Sequence, residues 1–304
     1  MEKLENFDET IYNAQVYDFS TLYTNLNLND VKKAMKGMLD LIFNRDGNKF
    51  INISLFKRKT FFSNKTFNGF YTFSKDSLLL AVNYILDNTY VVFGNFLLKQ
   101  DCGIPMGGNS SGEIAKSSLG FYEFDYMKEL MKNKKQWDLA KRLSNNSRYI
   151  DDLITINYLH FDKVYPSIYP ESLLMQRAGN DNKNINYLDL NIIIGNEGKI
   201  TTKVFCKQDD FDFPVVQYSF PDGNMPHDIG HNIFYGQILR FALLCSKKED
   251  FVNSAKKLFQ SLIDRGYHKR PLLKQLNKAL KNNSYIVNNY EIMDNIDFEK
   301  QFLP

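Results

Sequence analysis

The segment Arg148-Tyr149-Ile150-Asp151-Asp152-Leu153-Ile154 places two adjacent carboxylates inside an apolar run rich in β-forming residues. The apolar flanks favour buried strands and the paired acids favour a tight turn, so the segment predicts a β-hairpin. Neighbouring carboxylates in apolar surroundings are costly unless their charge is compensated, and a divalent cation is the simplest compensation. The segment therefore indicates a metal-dependent site. Asp is also common in ordinary surface turns, which is the alternative interpretation.

A third acid, Asp18, stands far upstream in the similar run Val16 to Tyr23. A strand that carries Asp18 beside the hairpin would direct all three carboxylates to one point. Acids in that arrangement can hold two cations roughly 3.5 to 4 Å apart, which would activate a primer 3′-hydroxyl and stabilise the leaving pyrophosphate. The three acids together favour nucleotidyl transfer over a plain surface turn.

A glycine-rich loop, Gln100 to Ser111, lies between these acids and opens a helical pattern that reaches Met127. Glycines permit close backbone approach to a ligand, and a helix start offers free N–H groups and a favourable dipole for phosphate. The loop matches neither a Walker A loop nor a dinucleotide-binding fingerprint. A purely structural turn before a helix is the alternative.

The order of acid strand, glycine loop and double-acid hairpin resembles that of the reverse transcriptases. Asp18 falls in the first palm motif of that family, the Gly103–Gly108 loop in the second, and residues 149–152 in the third. The motif sequences Asp-Phe-Ser-Thr-Leu-Tyr-Thr-Asn and Gly-Ile-Pro-Met-Gly-Gly are most similar to those of the Penelope-like, telomerase-related branch. The likeness extends from about Val16 to about Leu276, which is most of the chain.

This resemblance implies roles for individual residues. Asp18, Asp151 and Asp152 would be the catalytic residues and the ligands of two Mg²⁺ ions, for which Mn²⁺ can substitute. Tyr23 would screen the sugar of the incoming nucleotide, although core packing also explains an aromatic side chain there. The other implied nucleotide-binding residues are Phe19, Met106 and Gly107.

Template and primer contacts are implied for Gln100, Gly103, Lys203 and Lys207. The two lysines belong to a segment similar to the hairpin that grips the primer end in this family, where they would reach phosphates. Solvated lysines on an ordinary strand fit the pattern equally well. Lys183 is a candidate proton donor to pyrophosphate, but its polar, turn-rich surroundings favour a solvated loop.

The resemblance implies an RNA-directed DNA polymerase, which extends a DNA or RNA primer on an RNA template with deoxynucleoside triphosphates. The implied fold class is α+β: an antiparallel palm sheet with helices on one face, followed by a mainly helical thumb. The expected domains are a palm at residues 1–205 with a reduced fingers portion at about 44–100, a thumb at 206–284, and an acidic tail at 285–304.

Hydrophobic periodicity and breaker residues predict the local elements. A strand is expected near residues 14–20, and hairpins at 90–98 and 148–157. A further half-buried strand is expected at Asn186–Ile192, with Asp189 in a structural role. The expected helices lie at residues 28–43, 75–87, 111–133, 229–246, 248–265 and 270–281.

One departure from the family is the short segment before Asp18, only 17 residues, where reverse transcriptases carry a fingers region. This leaves several alternatives open: a fragment, half of a split enzyme whose fingers come from a second protein chain, or a noncatalytic nucleic-acid-binding protein that keeps the fold. A polymerase that copies RNA into RNA is a further alternative, against which Tyr23 and the Tyr-Ile-Asp-Asp wording argue.

The formal net charge is only +3, but residues 199–281 hold 14 Lys or Arg against 8 Asp or Glu. Such a basic segment suits a thumb that follows a nucleic-acid backbone, although a solvated helical face is the ordinary explanation. The isolated cysteines indicate reduced thiols in an intracellular protein, in either nucleus or cytoplasm. No stretch approaches the roughly 20 apolar residues of a membrane span, so no membrane partner is expected.

Overall fold

A computed structural model describes residues 10–45, 47–213, 215–224, 229–292 and 299–302. The chain forms two compact units, each with its own hydrophobic core. The first unit is Gln15–Ala178, and the second comprises the described residues of Met1–Ala14 and Gly179–Pro304. The domain ranges expected from the sequence stay predictions.

The first unit combines three antiparallel sheets with helices. Its strands are β1 (Ala14–Phe19), β2 (Phe50–Ser54), β3 (Lys59–Ser63), β4 (Tyr71–Ser74), β5 (Tyr90–Phe93), β6 (Phe96–Lys99), β7 (Ser147–Tyr149), β8 (Asp152–Ile156) and β9 (Met175–Ala178). Its helices are α1 (Leu22–Asn25), α2 (Leu28–Arg45), α3 (Lys75–Asp87), α4 (Ser111–Lys132), α5 (Trp137–Ser144) and α6 (Tyr165–Ile168). The sheets have the strand orders β7-β8-β1-β9, β3-β2-β4 and β5-β6.

The four-stranded sheet buries one face against the helices. Tyr17 and Phe19 of β1 belong to the same core as Ala115 and Leu119 of α4, both of which are fully buried. Successive side chains of a strand point to opposite faces of the sheet. Asp18 is exposed between these two buried aromatic residues, so it lies on the face away from this core.

Helices α2 and α4 approach closely at Gly37. A Cβ atom at this position would lie 2.2 Å from the ring of Phe121 on α4, a distance that real Cβ atoms do not reach. The Tyr122 hydroxyl also donates to the Asp30 carbonyl at 2.9 Å. Gly37 therefore permits the contact between these two helices.

We predict that Gly37→Ala destabilises the protein by about 1 to 3 kcal/mol through overpacking, despite the better helix propensity of alanine. The free energy of urea unfolding measures this change. Gly120→Ala is the matched control, because a Cβ there would meet Met38 Cε at an ordinary 3.8 Å. A Gly37→Ala variant as stable as Gly120→Ala would contradict the packing argument.

The β5–β6 hairpin has the predicted location but an unexpected environment. Val92, Phe93 and Phe96 are 72%, 75% and 69% exposed. Within the described residues, neither strand pairs with a third strand. Two-stranded hairpins are only marginally stable alone in water. The apolar sequence thus predicted the strands correctly without predicting their exposure.

The second unit places a three-stranded antiparallel meander beside helices. Its strands are β10 (Asn184–Tyr187), β11 (Leu190–Ile194) and β12 (Ile200–Val204), and its helices are α7 (Ile229–Leu244), α8 (Lys248–Asp264), α9 (Lys269–Asn282) and α10 (Ser284–Asn289). Its core includes Phe234, Phe251 and Leu276, all fully buried. The Thr202 amide donates to Ser246 Oγ at 2.9 Å, and the Ser246 amide donates to the Thr202 carbonyl at 2.8 Å. These bonds tie β12 to the segment after α7.

The predicted single strand Asn186–Ile192 is wrong, because the segment is divided between β10 and β11. Tyr187 pairs with Leu190, which leaves Leu188 and Asp189 in the turn. Leu188 has a φ of +53°, a left-handed conformation that reverses the chain. Short alternation cannot distinguish one strand from two strands joined by a tight turn. Asp189 forms an ion pair with Arg240, which agrees with a structural role.

The other predicted elements are confirmed, with boundaries that differ by only a few residues. The structure also confirms the fold class, since α-helices accompany antiparallel sheets in both units. In the described parts of the chain, no helix is both long enough and apolar enough to cross a membrane.

Candidate active site

Strands β1 and β8 are neighbours in the four-stranded sheet, and two contacts fix their register. The Phe19 amide donates to the Asp151 carbonyl at an N–O distance of 3.4 Å. The Thr155 hydroxyl donates to the Tyr158 carbonyl at 2.9 Å, and the same hydroxyl oxygen lies 3.5 Å from the Gln15 carbonyl oxygen, which places Thr155 beside Gln15. The residue numbers rise along one strand as they fall along the other, so the pairing is antiparallel.

This register places Asp18 opposite Asp152, because Asp18 precedes Phe19 and Asp152 follows Asp151. Directly opposed residues of antiparallel strands point to the same face, with Cβ atoms about 4.5 to 5.5 Å apart. Asp18 is exposed and Asp152 is half-buried, so this face is open to solvent. Two of the three predicted catalytic acids are therefore brought side by side.

The third acid, Asp151, lies in the turn between β7 and β8. Tyr149 pairs with Asp152, which leaves Ile150 and Asp151 as the two turn residues. Ile150 has a φ of +54°, and a β-branched residue in this left-handed region is a genuine outlier. Asp151 is half-buried and its carbonyl bonds to β1. The predicted hairpin is confirmed, and its turn carries the acid predicted to hold metal.

The three carboxylates fit a magnesium site in ligand chemistry but not as a preassembled cage. Over the described ranges of the chain, no group of three or more His, Cys, Asp or Glu side chains is arranged to hold a metal ion. Mg²⁺ commonly uses only one or two protein carboxylates and completes its shell with water and substrate phosphates. The acids on one sheet face therefore suit Mg²⁺ that binds together with a nucleotide, and the pair of ions stays a prediction.

The glycine loop contacts the segment that directly follows Asp18. The Ile104 amide donates to the Tyr23 carbonyl at 2.7 Å, and the Gly103 amide donates to the Leu26 carbonyl at 3.0 Å. Gly103 has a φ of +75°, and a Cβ there would lie 2.4 Å from the Tyr23 carbonyl oxygen. Only glycine fits this contact, so Gly103 has a clear structural role beside its predicted ligand-binding role.

Tyr23 is half-buried and lies between the acid strand and the start of α4. Its hydroxyl oxygen is 3.9 Å from the position that a Cβ of Gly112 would occupy. Lys116, one turn further along α4, has a raised pKa, chiefly through its hydrogen bond and ion pair with Glu113, with smaller contributions from Tyr149 and Tyr23. The glycine loop and the start of α4 thus both lie close to the tyrosine that follows the acid strand.

The remaining predicted residues of this unit have varied environments. Met106 is 72% exposed and Gly107 is exposed with a φ of +83°, so both are accessible to a ligand. The Gln100 side chain donates to the Cys102 carbonyl at 3.0 Å, and its predicted contact with a template stays a prediction. The Phe19 ring is buried in the core and packs edge-on to Tyr169. A nucleotide could meet Phe19 only through its backbone.

The three predicted lysines all belong to the second unit. Lys203 is exposed on β12 and pairs with Asn191 of β11. Lys207 is exposed at the start of the 3₁₀ turn Lys207–Asp210. Lys183 is exposed in the loop before β10, where its amide donates to Asp181 at 2.8 Å. Their phosphate-binding and proton-donor roles stay predictions.

Sequence reasoning did not assign any role to a charged network behind the double-acid turn. Arg148, Glu123 and Tyr169 bind one another there, with only 10% of the Arg148 side chain exposed. The signals were weak: a basic residue two positions before the turn, and a lone acid in the aromatic stretch Phe121–Phe124. Neither feature identifies its partner without the tertiary structure.

We predict that Gly103→Ala destabilises the protein more than Gly107→Ala does, by about 1 to 3 kcal/mol, because only Gly103 would also clash with backbone. Both substitutions share the left-handed penalty of roughly 1 to 2 kcal/mol. No atom lies within 4 Å of a Cβ at Gly107, so it is the matched control. Equal losses in urea unfolding would show that the contact between the loop and Tyr23 is not required.

No protein-family model and no curated protein matches the chain. Among solved structures it is similar to a telomerase from Candida albicans, in complex with a TWJ fragment of telomeric RNA, with a TM-score of 0.54 and 13% identity over 99% of this chain and 51% of that one. An apo telomerase from Candida tropicalis gives a TM-score of 0.44 and 13% identity over 99% and 49% of the two chains. The chain thus spans about half the length of these structures.

The likeness to the Candida albicans structure supports a telomerase-like fold, with mixed helices and antiparallel sheets. At this level of identity it concerns the fold alone. The facing acids and the glycine loop were identified from the chain itself, and they lie in one compact unit of that fold.

Proposed function

We propose that this chain is an RNA-directed DNA polymerase, which transfers deoxynucleotides to a primer 3′-hydroxyl. The observation that carries the proposal is the placement of Asp18 opposite Asp152, beside a turn that holds Asp151, within a telomerase-like fold. Acids on one open face of a sheet can hold metal ions that bind the phosphates of a nucleotide, and a glycine loop at a helix start suits phosphates directly. A plain surface turn would not require this arrangement.

In the proposed site, Asp18 and Asp151 hold two Mg²⁺ ions and Asp152 supports them, with Mn²⁺ as a substitute. When bound, the ions would neutralise charge on the phosphates and favour ionisation of the attacking hydroxyl. The chain itself supplies the oxygen ligands and the open face on which a nucleotide can lie. The glycine loop brings Met106 and Gly107 to the nucleotide side, and Tyr23 limits the space beside its sugar.

The proposed partners are an RNA template, a DNA or RNA primer and deoxynucleoside triphosphates. The Candida albicans structure is described as a complex with RNA, which supports a nucleic-acid partner for this chain. Lys203 and Lys207 are exposed and can approach phosphates. A second protein chain that supplies fingers is part of the proposal only if the chain is inactive alone.

The first experiment is primer extension on a primed RNA template with deoxynucleotides and Mg²⁺ or Mn²⁺. We predict extension by the unaltered chain and a loss of at least about 1,000-fold in Asp151→Ala with Asp152→Ala, the scale expected when electrostatic stabilisation of the transition state is removed. Asp138→Ala is the matched control, since Asp138 is an exposed acid paired with Arg142 at 2.9 Å. Template binding without extension would instead favour a missing second chain or a noncatalytic protein.

Tyr23 provides a separate test of sugar selection. We predict that Tyr23→Ala raises the incorporation of ribonucleotides relative to deoxynucleotides by roughly 10- to 100-fold, the usual scale of one steric contact in a pocket. Tyr23→Phe keeps the ring and should keep the selectivity. Equal selectivity in all three proteins would mean that Tyr23 is only a packing residue. Efficient ribonucleotide use by the unaltered chain would favour an RNA-copying RNA polymerase.

A further inference from the structure

Arg148 occupies a distinctive position on β7, directly behind the double-acid turn. Its guanidinium binds the Glu123 carboxylate through two nitrogens, Nε to Oε1 and Nη2 to Oε2, the latter at 3.1 Å. The third nitrogen, Nη1, donates to the Ile150 carbonyl at 2.9 Å. One planar side chain therefore joins helix α4 to the turn that carries Asp151 through a rigid fork of donors, a geometry that the compact ammonium group of lysine does not reproduce.

Tyr169 completes this network from the other side. Its hydroxyl donates to Glu123 Oε1 at 2.6 Å, and its ring packs edge-on to Phe19 with a centroid distance of 4.9 Å. Burial opposes the charge on Arg148, but the hydrogen bond and negative charge of Glu123 raise the pKa of the guanidinium. Burial and the charge of Glu123 raise the pKa of Tyr169 well above its ordinary value. Both groups therefore remain protonated donors near neutral pH.

The backbone of Ile150, whose carbonyl accepts from Arg148 Nη1, is strained. Ile150 adopts a φ of +54°, which a β-branched side chain rarely takes, and it directly precedes Asp151. Such outliers persist only where the surrounding structure holds them. The Nη1 contact fixes the Ile150 carbonyl, and with it the direction in which the chain enters Asp151 and Asp152.

We propose that Arg148 is a positioning residue for the acids, held in turn by Glu123 and Tyr169. It fixes the turn relative to α4, whose first residue, Ser111, is the last residue of the glycine loop. The network thereby sets the distance between the double-acid turn and the glycine loop without touching a substrate. This inference rests on the proposed function for its catalytic consequence, and on the hydrogen bonds alone for its structural part.

A partly buried ion pair can also serve stability alone, so the variants must separate the two roles. Arg148→Met by itself would leave the Glu123 charge without its guanidinium partner, and such variants often fail to fold. The double variant Arg148→Met with Glu123→Leu removes both charges, and apolar replacement of a buried pair is often neutral for stability. A cavity of about 110 Å³ beside these residues gives the new side chains room to adjust.

The first measurement compares amide hydrogen exchange across residues 147–153 in the unaltered chain and in the double variant. We expect exchange in this segment to become at least about 10-fold faster, because the turn loses its anchor while the core stays intact. The midpoint of urea unfolding should fall only modestly, because the Tyr169 hydroxyl and the Ile150 carbonyl lose their partners. The exchange of α8 in the second unit should not change. Unchanged exchange at the turn would overturn the positioning role, whether or not the chain extends primers.

The second measurement is steady-state primer extension. A misplaced turn should lower kcat by about 10- to 100-fold with a smaller effect on KM for the deoxynucleotide. Arg148→Lys keeps the charge but not the three-way geometry, so it should lose most of the rate as well. The matched control is Arg142→Met with Asp138→Leu, which removes an exposed ion pair of α5. A double variant with kcat within about twofold of the unaltered chain would refute the inference, since twofold is far below the effect of misplacement.

The two proposals fail in distinguishable ways. An unaltered chain that extends no primer, alone or with added Mn²⁺, contradicts the proposed function of the isolated chain but leaves the exchange experiment decisive for Arg148. An active chain whose turn exchanges equally in both proteins contradicts only the role of Arg148.

Discussion

The antiparallel pairing of β1 with β8 is the contact on which the site depends. The backbone bond between Phe19 and Asp151 joins segments that are far apart in the sequence. It places Asp18 opposite Asp152, and it forces Tyr17 and Phe19 into the helix-covered core because side chains alternate along a strand. A shift of one residue would reverse this arrangement, burying the acid and exposing the aromatic rings. Burial of the rings therefore keeps the acids on the open face.

Helix α4 connects this strand pair to the other parts of the first unit. It begins at the last residue of the glycine loop, packs on α2 where Gly37 meets Phe121, and carries Glu123 to the back of the double-acid turn. The glycine loop also bonds to the segment after Asp18, through Gly103 and Ile104. The acid strand, the loop and the turn are thus held in place through one helix. A small displacement of α4 would therefore change the positions of all three.

Local elements of this chain were predictable because their signals are local. The helices α3 and α4, and the hairpin that carries Asp151, follow from apolar spacing and from turn residues close in sequence. The strand at Asn186–Ile192 was mispredicted because its alternation continues across the turn at Leu188 and Asp189. Only the left-handed conformation of Leu188 reverses the chain there, and leucine gives no sequence signal for such a turn.

The sequence by itself determined the residue types of the site, since two acids between apolar strands and a glycine loop before a helix are read from adjacent positions. Only the tertiary structure decided that Asp18 faces Asp152, that Gly103 meets the Tyr23 backbone, and that Arg148 reaches Glu123. These contacts join residues distant in the chain. Their choice depends on which apolar faces bury one another, and that is a property of the whole fold rather than of any local pattern.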